Sequence, residues 1–159
     1  MSATVETPAS AMAVDAEPRA LLSAELEVLL AALVEPAARA PFLALAAAVA
    51  EGAVGEAELP ALDRLLALTL ETGRARRVHG PEAERALLRL FHQTPRGAAA
   101  RRAVEAVNAA LAGLRGQTLE DLLVTVQGPG LFRLGVSTGE CRLTLELDAQ
   151  GLRVESLEV

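Results

Sequence analysis

A cluster of arginines in the middle of the chain is the feature best suited to chemistry. Between positions 74 and 102 the sequence holds eight of the chain's fifteen basic residues and only two glutamates, a net charge of +6. The rest of the chain has seven arginines against nineteen acids and carries −12. Guanidinium groups bind phosphates and carboxylates through paired, charge-assisted hydrogen bonds. We therefore predict a surface that binds an anion or a partner, formed by Arg74, Arg76, Arg77, His79, Arg85, Arg89, Arg96, Arg101 and Arg102.

The spacing of these nine residues allows them to converge. A segment bounded by Gly73 and Gly80, predicted as a loop, carries the first four. Arg85 and Arg89 lie about one turn apart on a predicted helix, and the last three begin the next helix. If these two helices form a hairpin, the nine groups come together as one cationic surface. Neighbouring glutamates leave open the alternative that local ion pairs absorb much of the charge.

The partner that we expect is another protein with an acidic or phosphorylated surface or segment. Nucleic acid is not expected, because the net charge is −6 and only three aromatic residues are present to stack on bases. The longest apolar stretch, residues 41–50, is about half of what a bilayer requires, so no membrane contact is expected. Association into a homo-oligomer stays open.

No arrangement of residues in the chain predicts catalysis. His79 and His92 are the only histidines, and no further ligands lie at regular spacing near them, so we predict no metal site and no cofactor. The lone Cys141 begins an apolar strand row and is expected to be a small core residue. The stretch at 128–130, GPG, joins two predicted strands and opens no helix, which indicates a turn. The sequence therefore favours a non-enzymatic interaction or adaptor protein.

Helices are predicted to position most of these groups. Residues 1–17 are expected to be a flexible acidic tail, and 18–116 a helical region of about five helices. The second helix is predicted to end at Gly52, the fourth to begin at Pro81 and the fifth at Pro95. The first helix has one apolar stripe, formed by Leu22, Leu26, Leu29, Leu30 and Leu33. The fifth carries its apolar residues on one face, namely Ala100, Val104, Val107, Leu111 and Leu114.

A change of period near Gly116 predicts a sheet. Residues 117–159 alternate strand-like runs with short turns, which indicates a four-stranded antiparallel meander packed on the last helix. In the last run the apolar residues change faces, and a β-bulge near Glu155 or an edge exposed on two sides would explain that change. Helices followed by strands predict an α+β fold, built as one compact unit or as two subdomains.

Two resemblances bear on the fold. A long helix on a four-stranded meander is similar to cystatin-like and NTF2-like folds, and that similarity implies an alternative function: a ligand-binding protein or small enzyme with a pocket between helix and sheet. The segment AEGAVGEAELPALDRLL, residues 50–66, resembles the helix-pair segment of TerB-like proteins over about one tenth of the chain. The aspartates that usually precede the glycine there are missing, so no family and no site follow from it.

Composition favours a cytoplasmic protein. The single cysteine excludes an internal disulfide and is typical of a reducing compartment. The first eighteen residues lack the basic region and long apolar stretch of a secretory signal. The absence of lysine, isoleucine, tyrosine and tryptophan is typical of a GC-rich bacterial genome.

Overall fold

The computed structural model describes residues 11–159 and confirms the α+β order, with helices first and a four-stranded antiparallel sheet after them. The first ten residues of the predicted tail lie outside the described residues. The chain divides into two units, of which the first ends at Arg96 and the second spans Gly97–Val159. Each unit has a hydrophobic core of its own.

Within residues 11–96, the first unit contains two short strands, four α-helices and one π-helix. In chain order they are β1 Met12–Ala13, α1 Ala16–Ala32, α2 Pro36–Glu51, β2 Ala53–Val54, α3 Leu59–Glu71, the π-helix Ala75–His79 and α4 Pro81–Phe91. The predicted end of the second helix and start of the fourth are confirmed. Gly52 ends α2 in the left-handed conformation, at φ 81°, which a glycine adopts without a steric cost.

Part of the segment predicted as a flexible tail is regular structure. Met12 pairs with Val54 and Ala13 with Ala53, so β1 and β2 form a two-stranded antiparallel ribbon. The Val14 amide donates a hydrogen bond of 2.9 Å to the Gly52 carbonyl, and the Val14 side chain is buried in the core. The helical region accordingly begins at Ala16, two residues before the predicted start.

The core of the first unit is built from leucines at helical spacing. The apolar stripe predicted for α1 faces this core, with Leu22 and Leu26 fully buried and Leu29, Leu30 and Leu33 partly buried. Helix α3 supplies more buried residues to this core than any other helix, and these residues recur every three or four positions. They are Ala61, Leu62, Leu65, Leu66 and Thr69.

A π-helix replaces the loop predicted between Gly73 and Gly80. Single-turn π-helices are rare and hold side chains in positions that a regular helix does not offer. Gly80 ends the π-helix at φ 91° and ψ 174°, a backbone conformation that is almost restricted to glycine. Pro81 follows at the first position of α4, where its missing N–H is no loss.

Replacing Gly80 with alanine is expected to lower the free energy of unfolding by about 1–3 kcal/mol, because a Cβ makes this backbone conformation costly. The space around Gly80 is open, so the loss comes from the backbone and not from a clash. Gly73→Ala is the matched control: its site is equally open, but its φ of 65° lies in the left-handed region that other residues reach at a lower cost, about 1–2 kcal/mol. Urea unfolding of both variants measures the difference, and equal losses would contradict the argument.

The second unit packs one helix on the sheet. Its elements are α5 Pro95–Ala112, which belongs to this unit from Gly97 onward, and the strands β3 Leu119–Gly128, β4 Leu131–Thr138, β5 Arg142–Asp148 and β6 Gly151–Glu158. The strand order β3-β4-β5-β6 confirms the predicted meander. The residues between β3 and β4 form the turn predicted at GPG, with Gly130 at φ 71°.

Helix α5 covers the sheet with a different face from the one predicted. Val107 and Ala110 are buried against Val136, Leu143 and Leu145, and Leu114 is partly buried there. Val104 and Leu111, which were expected on the same covered face, are 50% and 39% exposed. The core residues Val107, Ala110 and Leu114 are spaced three and then four positions apart. The covered face of α5 is therefore rotated away from Val104.

The bulge predicted near Glu155 is confirmed. Ser156 pairs with Thr144 and Val154 pairs with Leu145, so Glu155 is the extra residue on β6. An extra residue restores the alternation that the sequence breaks. Leu157 consequently lies on the same face of the sheet as Val154 and opposite Leu143.

Candidate functional site

A buried glutamate on α1 fixes two of the nine predicted site residues. The Glu25 side chain is only 4% exposed. Its Oε2 accepts a hydrogen bond of 2.7 Å from Arg74 Nε, and its Oε1 lies 2.7 Å from His79 Nε2. A carboxylate removed from water needs such partners. The structure therefore brings Arg74 and His79 together, as predicted, but around the chain's own carboxylate.

Sequence reasoning missed Glu25, although a signal for it is present. Glu25 lies three residues after Leu22 and four before Leu29, on the apolar side of α1. An acid at such a position faces the core and must find a cation. The π-helix supplies both partners, since Arg74 immediately precedes it and His79 is its last residue. This arrangement attaches the segment between α3 and α4 to α1.

Most of the other arginines have acidic neighbours of their own. The pairs in the first unit are Arg76–Glu84 at 3.9 Å, Arg85–Glu82 at 2.6 Å, Arg89–Glu17 at 3.9 Å and Arg96–Glu71 at 3.7 Å. These side chains are largely exposed, and such pairs usually contribute about 0–1 kcal/mol each. The alternative of local pairing is thus present in the structure, and the pairs are weak enough for a stronger anionic ligand to displace them.

The arginines are dispersed over several elements of the first unit. Arg77 donates a hydrogen bond of 3.0 Å to the carbonyl of Thr72, at the end of α3, and Arg96 lies near Glu71 at the same helix end. Cations at a helix C-terminus interact favourably with the helix dipole. Arg76 points instead toward Glu84 on α4. The first-unit arginines are therefore distributed over the π-helix and its N-terminal flank, α4 and the start of α5.

A cleft of about 260 Å³ contains one of these arginines. It lies in the first unit, and Arg89 shares its lining with Asp15 and Glu17. Two carboxylates beside one guanidinium make this cleft unfavourable for an anion. The cleft therefore does not provide the site that the charge clustering predicted.

Arg101 and Arg102 lie on α5, in the second unit. Arg101 pairs with Glu105 at 3.8 Å, four residues further along the helix. Arg102 is exposed and has no acidic partner among the described residues. Among the predicted site residues within 11–159, Arg102 and Arg77 are thus the two without an acidic neighbour, and Arg77 bonds instead to the Thr72 carbonyl.

His92 and Cys141, the other side chains considered for chemistry, lie in surroundings typical of structural residues. His92 follows the last residue of α4 and its ring stacks at a tilt on Phe91, with ring centres 6.0 Å apart. Cys141 is buried, as expected of a core residue, and its amide bonds to Thr138 Oγ1 at 3.0 Å. Within residues 11–159 no cluster of His, Cys, Asp and Glu has the arrangement of a metal site.

One carboxylate of the sheet has a shifted pKa. At the β5–β6 turn the Gln150 amide donates a hydrogen bond to Asp148, and Arg153 adds a second one. These donors stabilise the carboxylate and hold the pKa of Asp148 below its usual range. This group stabilises a tight turn and gives no sign of catalysis.

A second feature that sequence reasoning missed is the uncovered part of the sheet. The register places three apolar side chains of every strand on one face, in rows such as Val124–Leu134–Leu145–Val154. Helix α5 packs on the central part of this face, and no residue of β3 belongs to that core. The apolar side chains of β3 are all more than half exposed: Leu119, Leu122, Leu123, Val124 and Val126. We call the three that lie on the apolar face, Leu122, Val124 and Val126, the β3 surface.

Aliphatic side chains pack between α5 and the sheet. Val107 and Ala110 of the helix pack directly on Leu143 and Leu145, both 2% exposed or less. An interior formed by aliphatic side chains in contact offers no polar group to orient a ligand.

No protein-family model, curated protein or solved structure matches this chain. Among the described residues, none of the helices combines the length and the apolar character needed to cross a membrane.

Proposed function

We propose that this chain is a non-enzymatic protein-interaction module, and that its main contact surface is the β3 surface. The single observation that carries this proposal is the exposure of Leu122, Val124 and Val126, at 60%, 63% and 70%, on an edge strand. Contiguous exposed apolar side chains on a folded protein mark interaction sites. An edge strand adds unpaired backbone N–H and C=O groups that a partner can bond. The single cysteine supports a cytoplasmic setting as part of the same proposal.

A second contact, through the arginines, is supported by a different observation. Arg76 and Arg77 are exposed on the π-helix, and Arg102 is exposed on α5. The contacts of Glu25 with Arg74 and His79, which we call the Glu25 anchor, attach the π-helix to α1. The present partners of the three exposed arginines are a carboxylate at 3.9 Å, a backbone carbonyl and, for Arg102, no described acid. An acidic or phosphorylated segment bound to either unit would offer the exposed arginines of that unit stronger bonds. The pocket alternative has less support, because aliphatic side chains pack between α5 and the sheet.

One capture experiment separates the two contacts. A tagged chain is incubated with lysate of its source organism. Each protein retained is purified, and its affinity for the wild-type chain and for each variant is measured. We expect Val124→Lys to weaken binding by more than about tenfold, since a charge replaces an apolar contact. The control, Val34→Lys, places the same charge at a residue that is 92% exposed in the first unit and should leave binding unchanged.

The arginine contact is tested in the same assay by reversing Arg76, Arg77 and Arg102 to glutamate together. If that variant loses the partner and Val124→Lys keeps it, the arginines form the main contact and the β3 proposal is overturned. Thermal melting of each variant verifies that the fold is retained.

A further inference from the structure

The two edges of the sheet differ in their protection against strand pairing. Strand β6 contains the charged residues Arg153, Glu155 and Glu158, and the bulge at Glu155 interrupts its regular hydrogen-bonding pattern. Charges and bulges are the means by which natural sheets prevent edge-to-edge association. Strand β3 shows register shifts only near its ends, between Leu119 and Asp121 and between Val126 and Gly128. Its middle is therefore regular, uncharged and open to pairing.

The distribution of charge along β3 selects the direction of pairing. The only charged residues of the strand, Glu120 and Asp121, lie at its beginning, and its other end carries Gln127 and Gly128. Parallel pairing of two such strands would bring acids next to acids, which is unfavourable. Antiparallel pairing brings the acidic end of each strand next to the uncharged end of the other.

Building on the protein-interaction function above, we propose that the partner of the β3 surface is a second copy of this chain. In this dimer the two β3 strands pair antiparallel about a two-fold axis at Val124. Val124 then faces Val124 of the second copy, and Leu122 faces its Val126. Asp121 faces Gln127 of the second copy, so no like charges lie opposite one another.

The two-fold axis also gives the uncovered apolar row new apolar neighbours. Strand pairing about an axis perpendicular to the sheet keeps the apolar face of both copies on the same side. The exposed rows Leu122, Val124 and Val126 thereby become neighbours across the new strand pair, with directly opposed side chains about 4.5–5.5 Å apart. Aliphatic pairs of this kind stabilise a sheet, and the two four-stranded sheets become one continuous sheet.

Sedimentation equilibrium of the purified full chain over a range of concentrations tests the dimer. We expect the wild type to reach twice its chain mass of 16.5 kDa. Val124→Lys should be monomeric at the same concentrations, because it places two ammonium groups opposite each other on the axis. Leu157→Lys, which adds the same charge at an exposed apolar residue on β6, should remain a dimer. A melting temperature of Val124→Lys near that of the wild type shows that the variant is folded.

Disulfide trapping tests the register. Directly opposed residues of antiparallel strands have Cα atoms about 4.5–5.5 Å apart, which suits a disulfide. Val124→Cys should therefore form a covalent dimer under mild oxidation, and Val126→Cys should not, since its counterpart lies four residues along the strand. The native Cys141 is buried and does not interfere. Efficient trapping of Val126→Cys without that of Val124→Cys would overturn the register.

The failure of this inference and the failure of the proposed function give different results. A monomeric wild type whose capture of another protein is lost in Val124→Lys overturns the homodimer but not the interaction function. A monomeric wild type whose capture of other proteins is unaffected by Val124→Lys overturns both.

Discussion

Replacing Glu25 with alanine is expected to lower the free energy of unfolding of the first unit by about 3 kcal/mol. Removing one partner from a buried ion pair leaves the other charge without compensation, at a usual cost of about 3–5 kcal/mol. The lower end applies here because Arg74 is 35% exposed and His79 20%, so both can be partly rehydrated. Urea unfolding of the full chain, followed by circular dichroism, measures the loss.

The local consequence is a second readout of the same variant. Glu25 attaches the π-helix to α1, so hydrogen exchange should rise in peptides that cover residues 74–80 and stay unchanged in those from the sheet. Glu27→Ala is the control, because Glu27 lies on the exposed side of the same helix and its loss should be within about 0.5 kcal/mol. If the two variants lose equal stability, the anchoring role of Glu25 is refuted.

The Glu25 anchor changes the meaning of the arginine cluster. Two of the nine predicted site residues, Arg74 and His79, contact the buried Glu25, and four more of the first unit have acidic neighbours within 4 Å. Clustering along the sequence therefore measures how many cations a segment carries and not how many are available to a ligand. Availability depends on acids from distant positions, such as Glu17, Glu25 and Glu71.

The fold was predictable because its signals are local. Helix ends at Gly52 and Pro81 and the four strands with their short turns follow from periodicity and from residues with restricted backbones. The bulge at Glu155 was predictable for the same reason, since a break in alternation is visible along one strand. The π-helix was not, because the residues at its two ends contact Glu25, which lies 49 residues before Arg74.

The β3 surface shows a second limit of local reasoning. The alternation in β5 correctly indicates an apolar face, but alternation does not tell how far one helix can cover four strands. Helix α5 is one helix wide, about 10 Å, whereas four strands at about 4.8 Å spacing are wider. The cover therefore reaches β4, β5 and β6 and leaves β3 exposed. Only the strand order together with the buried face of α5 shows that β3 is the strand left uncovered.

A substitution at the centre of the second unit is expected to have an equally large effect. Leu143 lies on β5, is fully buried, and belongs to the core with Val107 and Ala110. Leu143→Ala should lower the free energy of unfolding of this unit by about 3 kcal/mol, through the loss of apolar burial and the cavity that remains. Hydrogen exchange of peptides from β4, β5 and β6 measures this change in the full chain.

Leu147→Ala provides the matched comparison, because Leu147 lies on the same strand and the same face but is 46% exposed. Its truncation removes little buried area and leaves no cavity, so a loss below about 1 kcal/mol is expected. Equal losses for the two variants would mean that α5 does not cover the sheet at Leu143. The β3 surface depends on that packing, since α5 holds β4 and β5 in place and β4 carries β3. Leu143→Ala should therefore also weaken any association through β3, whereas Leu147→Ala should not.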